Sequence, residues 1–138
     1  EKPLFLDDGF TNRQIHRVLS LRDRAMATSG DYRNYIKKEG RRYSHTIDPS
    51  TGQPITHRLA SVTVIHEEAV WADAWATALN VLGPEAGYSL AKKENLLAYF
   101  IIRKTDLNSK SDDDIEVKFT PRFSSHFLDT GDLKESSK

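Results

Sequence analysis

The middle of the chain joins a β-branched segment directly to a long helical repeat. Residues 59–65 (LASVTVI) place β-branched side chains at alternate positions, which is the pattern of a strand. Between residues 67 and 82, apolar or small residues recur with the period of a helix, at 70, 74, 78 and 81 and again at 71, 75, 79 and 82. Gly83 and Pro84 then end this helix, and residues 84–93 are predicted to form a second one.

Shorter elements are predicted on both sides of this unit. The strand candidates are residues 17–22, 25–27, 41–46, 96–103 and 115–119. The predicted loops are residues 1–12, a turn at 48–52 and the polar stretch 104–114, and the tail from Thr130 is predicted to be disordered. Because strands and helices mix without a regular βαβ alternation, the sequence predicts an α+β fold with a mixed sheet packed against helices.

Composition excludes several classes of function. The 138 residues fit one domain, and the 20 basic and 20 acidic side chains cancel, which disfavours a nucleic-acid binder. The chain has no cysteine, so disulfides, thiolate metal sites and a cysteine nucleophile are excluded. The longest apolar run, residues 96–102, is far shorter than the roughly 20 residues that span a bilayer, so no membrane span is expected. Because the sequence begins at Glu1, it is expected to be a processed product or a fragment.

One carboxylate and one hydroxyl stand out within the predicted helix. Asp73 and Thr77 are four residues apart, so a helix places them on one face, one turn apart, among alanines. Mg²⁺ prefers oxygen ligands and takes only one or two from the protein when a substrate phosphate supplies others. The pair therefore indicates part of a magnesium site, although this spacing is more often a solvated edge of an amphipathic helix.

Four sequence segments occur in a characteristic order, and together they are more specific than any one of them. They are ATSGDY at 27–32, YSHTIDP at 43–49 followed by Thr51-Gly52, SVTV at 61–64 and ADAWAT at 72–77. In this order they resemble the carboxy-terminal half of the FAD:protein FMN transferase family, also called ApbE or thiamine-biosynthesis lipoprotein, over about residues 17–103. The resemblance divides the chain into a leading segment 1–16, a flavin-transferase part 17–128 and a tail 129–138.

The resemblance implies an activity, a cofactor and partners. Members of the family are magnesium-dependent enzymes that cleave FAD, attach FMN through a phosphoester to a threonine of a target protein and release AMP. Their acceptors are subunits of membrane electron-transfer complexes. The resemblance also implies a location on the periplasmic side of the inner membrane, with a lipid anchor in a segment outside this chain.

The resemblance also assigns residues. Asp73 and Thr77 match the magnesium ligands of the family, and Ile47 matches a residue that lines the FAD pocket. Some members have an acidic residue where this chain has Ala76, so this helix is expected to supply one ligand fewer. Family members carry an upstream half with much of the FAD pocket, and residues 1–17 are not expected to replace it.

His45, Ser29 and Gly30 complete the candidate site. The resemblance places His45 beside the pocket, where a histidine that titrates near neutrality could act as general base or donate to a phosphate oxygen. Its alternative role is to cap the turn at Asp48. Ser29 and Gly30 could offer a hydroxyl and an unshielded amide to phosphate or ribose, or could simply end a strand.

The remaining aromatic and histidine residues favour structural roles. Trp71 and Trp75 are one helical turn apart and could stack on a flavin, but aromatic residues at this spacing are usually core. His57 and His66 are predicted to be surface residues.

Two alternative functions stay open, namely an FAD diphosphate hydrolase that releases FMN and AMP, and a noncatalytic nucleotide-binding fragment.

Overall fold

The computed structural model describes residues 2–7, 13–30, 35–39, 41–104 and 115–127. In chain order its elements are β1 (Lys2–Asp7), β2 (Arg13–Leu19), β3 (Ala25–Gly30), β4 (Tyr35–Lys38), β5 (Arg41–Ser44), β6 (Ile47–Asp48), β7 (Gln53–Pro54), β8 (Leu59–His66), α1 (Ala69–Lys93), β9 (Leu97–Arg103), β10 (Ile115–Phe119) and a 3₁₀ helix (Pro121–His126). Strands and helix are mixed, as the sequence predicts for an α+β fold.

An antiparallel sheet in the order β10-β9-β8-β3 forms the centre of the protein, with four strands in the described part of the chain. Every residue of β9 is buried, and so is β8 up to Ile65, because both faces of these central strands are covered. Three two-stranded units, β1-β2, β4-β5 and β6-β7, account for the other strands of the described residues.

Helix α1 packs on one face of the sheet, against β3, β8 and β9. On that face Val62, Val64 and Phe100 meet the helix residues Ala76 and Leu79. The opposite face is covered by Leu19 of β2 and Phe123 of the 3₁₀ helix, which pack with Ile65, Tyr99 and Ile101. The two cores fix the sheet from both sides and leave α1 with an outer surface.

Gly83 divides α1 into two helical segments. Its backbone has φ of 81° and ψ of −176°, which is not helical, and Pro84 follows it directly. The predicted end of the first helix at Gly83 and the predicted second helix at 84–93 are therefore confirmed. The predicted strands at 59–65, 96–103 and 115–119 are also confirmed, with small shifts at their ends.

Other predictions were wrong or lie outside the described residues. The predicted loop at 1–12 contains strand β1, which pairs with β2, and the strand predicted at 17–22 lies instead at Arg13–Leu19. Pro3 and the polar ends of this segment obscure the strand, which is defined by its pairing with β2. The predicted loop at 104–114 is described only at Lys104, and the tail from Thr130, which was predicted to be disordered, lies outside the described part of the chain.

The buried face of α1 also differs from the predicted one. The buried residues of its first segment are Ala72, Ala76, Leu79, Asn80 and Gly83, whereas Val70, Trp71 and Leu82 of the predicted apolar stripes are 67%, 52% and 46% exposed. Almost every residue from 69 to 82 is apolar or small, so periodicity could not select one face. The small side chains are buried because they allow the helix backbone to approach the sheet closely.

Candidate functional site

Asp73 and Thr77 lie on the outer surface of the first segment of α1. Both are exposed, one turn apart, while Ala72 and Ala76 between and beside them are fully buried against the sheet. The exposed neighbours Ala74 and Ala78 are small, so the surface beside the two oxygen donors is low. Both oxygen donors are therefore accessible from solvent.

The chemistry of this donor pair fits a magnesium ion that is shared with a substrate. A carboxylate and a hydroxyl are hard oxygen ligands, and Mg²⁺ completes its six positions with water and phosphate oxygens. The described residues contain no group of three or more His, Cys, Asp or Glu side chains arranged for a metal. Ala76 offers only a buried methyl group, so it adds no ligand to the pair.

The segment 45–47 runs from the end of β5 into the first residue of β6, and it carries His45 and Ile47. His45 is exposed, and Ile47 is 49% exposed although it is apolar. Thr46 between them is held at its backbone, because its N–H donates to Ser44 Oγ at 3.1 Å and its carbonyl accepts from the Ile55 N–H at 3.0 Å. The segment is thus fixed at its centre while its two outer side chains face solvent.

The turn that follows is closed by its own residues. Asp48 Oδ1 accepts hydrogen bonds from the Ser50 N–H at 2.8 Å and the Ser50 hydroxyl at 2.6 Å. The Gly52 N–H donates to the Asp48 carbonyl at 2.8 Å, and Gly52 has a φ of 67°, which favours glycine. The hydrogen bonds from the Ser50 side chain and backbone lower the pKa of Asp48 below its ordinary 3.8.

Ser29 and Gly30 lie at the end of β3, where they pair with Val62 and Ser61 of β8. Ser29 shares the face of the sheet that α1 covers, because its partner Val62 belongs to the core beneath the helix. A Cβ atom at Gly30 would collide with the Ala60 carbonyl oxygen and lie 2.7 Å from Ser61 Cβ. Gly30 is therefore required by the close approach of β8, whether or not a ligand binds there.

Asn80 links the two parts of the candidate site and was not identified from the sequence. It is fully buried on α1, and its Nδ2 donates to Thr46 Oγ1 at 3.4 Å. It lies one turn beyond Thr77, so the helix that carries Asp73 and Thr77 also contacts the segment that carries His45 and Ile47. The only sequence signal was an amide within an otherwise apolar helical stretch.

His57 occupies a special position beside Gly83. It is half-buried, its Nδ1 accepts the Leu59 N–H at 3.3 Å, and its Nε2 is buried without a hydrogen-bond partner in the described part of the chain. The prediction that His57 is a surface residue was therefore wrong. A cavity of about 310 Å³ lies between His57, Val81 and the β6-β7 hairpin, and Asp48 and Thr51 line its polar side.

The two tryptophans of α1 differ in how they match the prediction of a core role. Trp75 is half-buried and packs against the core beneath the helix, as predicted, whereas Trp71 is 52% exposed. Among the described helices, none is both long enough and apolar enough to cross a membrane.

Comparison with known proteins identifies the class to which this sheet, helix and donor pair belong. The sequence model of the ApbE family matches residues 1–101, and the chain therefore belongs to the ApbE family. The match includes the leading residues, which the sequence resemblance had left out.

Individual relatives agree with this assignment. The FAD:protein FMN transferase of Escherichia coli (strain K12) is 42% identical over 114 residues, which are 83% of this chain and 30% of that protein. The FAD:protein FMN transferase of Klebsiella pneumoniae (strain 342) is 46% identical over 90 residues, which are 65% of this chain and 26% of that protein. The chain thus spans about a third or less of the length of these relatives.

Solved structures share the fold. The apo form of the flavinyl transferase ApbE from Pseudomonas stutzeri matches with a TM-score of 0.67 and 39% identity, over 91% of this chain and 37% of that one. The ApbE protein of Thermotoga maritima matches with a TM-score of 0.68 and 27% identity, over 94% of this chain and 40% of that one.

Proposed function

We propose that this chain supplies the magnesium-holding helix and one wall of the flavin pocket of an FAD:protein FMN transferase. The observation that carries the proposal is the pair of exposed oxygen donors, Asp73 and Thr77, on a helix that is hydrogen-bonded to the segment of His45 and Ile47. The names of the E. coli and K. pneumoniae relatives support transfer of FMN from FAD to a protein.

The proposed reaction is a substitution at the phosphorus of the FMN part of FAD. The hydroxyl oxygen of an acceptor threonine forms a bond to this phosphorus, the bond to the AMP oxygen breaks, and AMP leaves. Bound Mg²⁺ would compensate the charge that develops on the two phosphates. The threonine proton passes to a base, for which His45 is the candidate.

The candidate site residues of this chain have separate roles in the proposed reaction. Asp73 and Thr77 hold the cation, and the carboxylate contributes the charge, whereas a water molecule can replace the hydroxyl. Ile47 offers an exposed apolar surface to the flavin side of FAD. Ser29 and Gly30 at the end of β3 are the candidates for hydrogen bonds to phosphate or ribose.

The acceptor and the location follow from the family resemblance. We propose a threonine-bearing subunit of a membrane electron-transfer complex as the acceptor, on the periplasmic side of the inner membrane. Ultraviolet fluorescence of protein bands separated from membrane fractions would reveal a covalently flavinylated subunit. A band that is present with the gene and absent after its deletion is the expected result, and an unchanged band pattern would contradict the proposal.

The central test uses a chimera, because the chain spans only about 30% of the E. coli relative. The matched 114 residues of that transferase are replaced by the corresponding residues of this chain. With FAD, Mg²⁺ and an acceptor protein, the chimera should attach FMN to one threonine and release AMP, as measured by intact mass and chromatography. FMN release without attachment would favour the hydrolase, and no reaction by a folded chimera would refute the proposed function.

Asp73→Ala in the same chimera tests the metal assignment. Transfer should become undetectable at the Mg²⁺ concentration that saturates the parent, because the charged ligand is lost, while the fold persists since Asp73 is exposed. Thr77→Val is the matched comparison and should reduce transfer less. Equal transfer by Asp73→Ala and the parent would refute the metal site, even if the transferase function stands.

A further inference from the structure

Asn80 is a poor choice of side chain for packing alone. It is fully buried in α1 next to Leu79, which belongs to the core beneath the helix. Its Oδ1 has no hydrogen-bond partner in the described residues. An unpaired buried acceptor is destabilising, and leucine, which has a similar size and favours helices, would avoid this cost.

The other end of the amide has a specific partner. Asn80 Nδ2 donates to Thr46 Oγ1 at 3.4 Å, across 34 positions of sequence. Thr46 is also fixed through its N–H and its carbonyl, by Ser44 and Ile55. The contact from Asn80 therefore ties this locally fixed segment to α1.

The position of Asn80 along the helix relates its contact with Thr46 to the two oxygen donors, Asp73 and Thr77. A helix rises about 1.5 Å per residue, so Asn80 lies about 4–5 Å along the axis from Thr77 and about 10 Å from Asp73. These three residues fall within about 60° of one another around the helix axis. A segment held at Asn80 is thus held at a set distance from both oxygen donors.

We propose that Asn80 is a positioning residue, which fixes the segment 45–47 on helix α1 so that the flavin-lining and metal-holding residues keep one spacing. This inference rests on the proposed function for its purpose, but the link itself can be tested without any activity. Binding sites gain from residues whose geometry is fixed by such supporting hydrogen bonds, and buried polar groups of this kind reduce stability in exchange for the geometry.

The first experiment uses the 138-residue chain and measures amide hydrogen exchange. In Asn80→Leu, the amides of Thr46 and Ile55 should exchange roughly 2–10-fold faster, which corresponds to the loss of one hydrogen bond. The melting temperature should stay the same or rise, because the unpaired Oδ1 is removed. A purely structural role would instead lower the melting temperature, and unchanged exchange at both amides would overturn the proposal.

Matched variants at the other end of the contact separate the hydrogen bond from general packing. Thr46→Val removes the acceptor and should increase exchange like Asn80→Leu, whereas Thr46→Ser keeps the hydroxyl and should restore slow exchange. The double variant Asn80→Leu/Thr46→Val should be no worse than either single one, since both remove the same bond. Fully additive effects would overturn the proposal.

Thr120→Val is the control for loss of a buried threonine hydroxyl elsewhere. Thr120 Oγ1 donates to the Leu96 carbonyl at 2.7 Å and accepts from the Ala98 N–H at 3.0 Å. This variant should lower the melting temperature and leave exchange at Thr46 and Ile55 unchanged. Faster exchange at those amides would mean that they report global stability, and the link to Asn80 would be refuted.

The second experiment measures FMN transfer by the chimera. Asn80→Leu should raise KM for FAD roughly 2–10-fold with a smaller change in kcat, because flavin binding uses the segment 45–47. If the parent chimera is inactive, the proposed function fails and the exchange experiment still decides the role of Asn80. If the parent chimera is active and Asn80→Leu has the same KM for FAD as the parent, the positioning role is refuted while the proposed function stands.

Discussion

Gly83→Ala tests the break that ends the first segment of α1, which carries Asp73 and Thr77. With φ of 81° and ψ of −176°, Gly83 occupies a region that is essentially restricted to glycine, where another residue costs about 1–3 kcal/mol. The new Cβ would also lie 2.8 Å from His57 Cδ2, so the imidazole ring must move. A displaced, off-rotamer side chain costs about 0.5–1.5 kcal/mol.

One effect opposes these costs. Alanine restricts the unfolded chain more than glycine does, which favours folding by about 0.4–1 kcal/mol. The free energy of unfolding should therefore fall by about 0.5–4 kcal/mol. For a chain of this size, that corresponds to roughly 3–5 °C in melting temperature per kcal/mol. Urea unfolding followed by circular dichroism and thermal melting would measure both quantities.

Two comparisons divide the loss into its parts. Gly52→Ala also has a left-handed residue, with φ of 67°, but no atom lies within 4 Å of its new Cβ, so it should cost only about 1–2 kcal/mol of backbone strain, less the same unfolded-state gain. In a His57→Ala background, Gly83→Ala should cost less than in the parent, because the collision is removed. A Gly83→Ala protein as stable as the parent would refute the break at this residue.

Two further predictions concern titrating groups. Ser50→Ala should raise the pKa of Asp48 towards 3.8 in an NMR titration, because it removes the hydrogen bond that lowers this pKa most. The stabilisation from Asp48 is present above pH 3.8 and is lost as pH falls through the lower pKa of the folded state. A pKa of Asp48 that the substitution leaves unchanged would contradict this prediction. His45→Asn in the chimera should slow FMN transfer by roughly 10²–10⁴-fold, and transfer at the rate of the parent would assign the base to another residue.

The sequence predicted the central elements of the fold because their signals are local. Strands β8 and β9 are buried on both faces, so their apolar and β-branched runs identify them without knowledge of their neighbours. Strands β1 and β4 were missed because short segments with lysine or proline become strands only through their partners β2 and β5. The buried face of α1 was missed because almost every residue from 69 to 82 is apolar or small, so the hydrophobic period does not distinguish one face from another.

The candidate site could also be predicted only where its signals are local in sequence. Asp73 and Thr77 could be placed on one face from their spacing alone, and the structure finds both exposed one turn apart. Asn80 could not be linked to Thr46, because the contact spans 34 positions and neither residue belongs to a motif. The half-buried state of His57 follows from Gly83, whose missing side chain makes room for the ring.

The small buried residues of α1 fix the position of the helix that carries the exposed oxygen donors. Ala72 and Ala76 are fully buried, and alanine keeps the helix axis close to β8 and β3. A helix seated through methyl groups has few rotamers by which it can shift, unlike one seated through long flexible side chains. The Cα atoms of Asp73 and Thr77 therefore have positions that are set by backbone packing. A site built on such a rigid element holds its geometry, and the hydrogen bond from Asn80 to Thr46 ties the neighbouring segment 45–47 to the same helix.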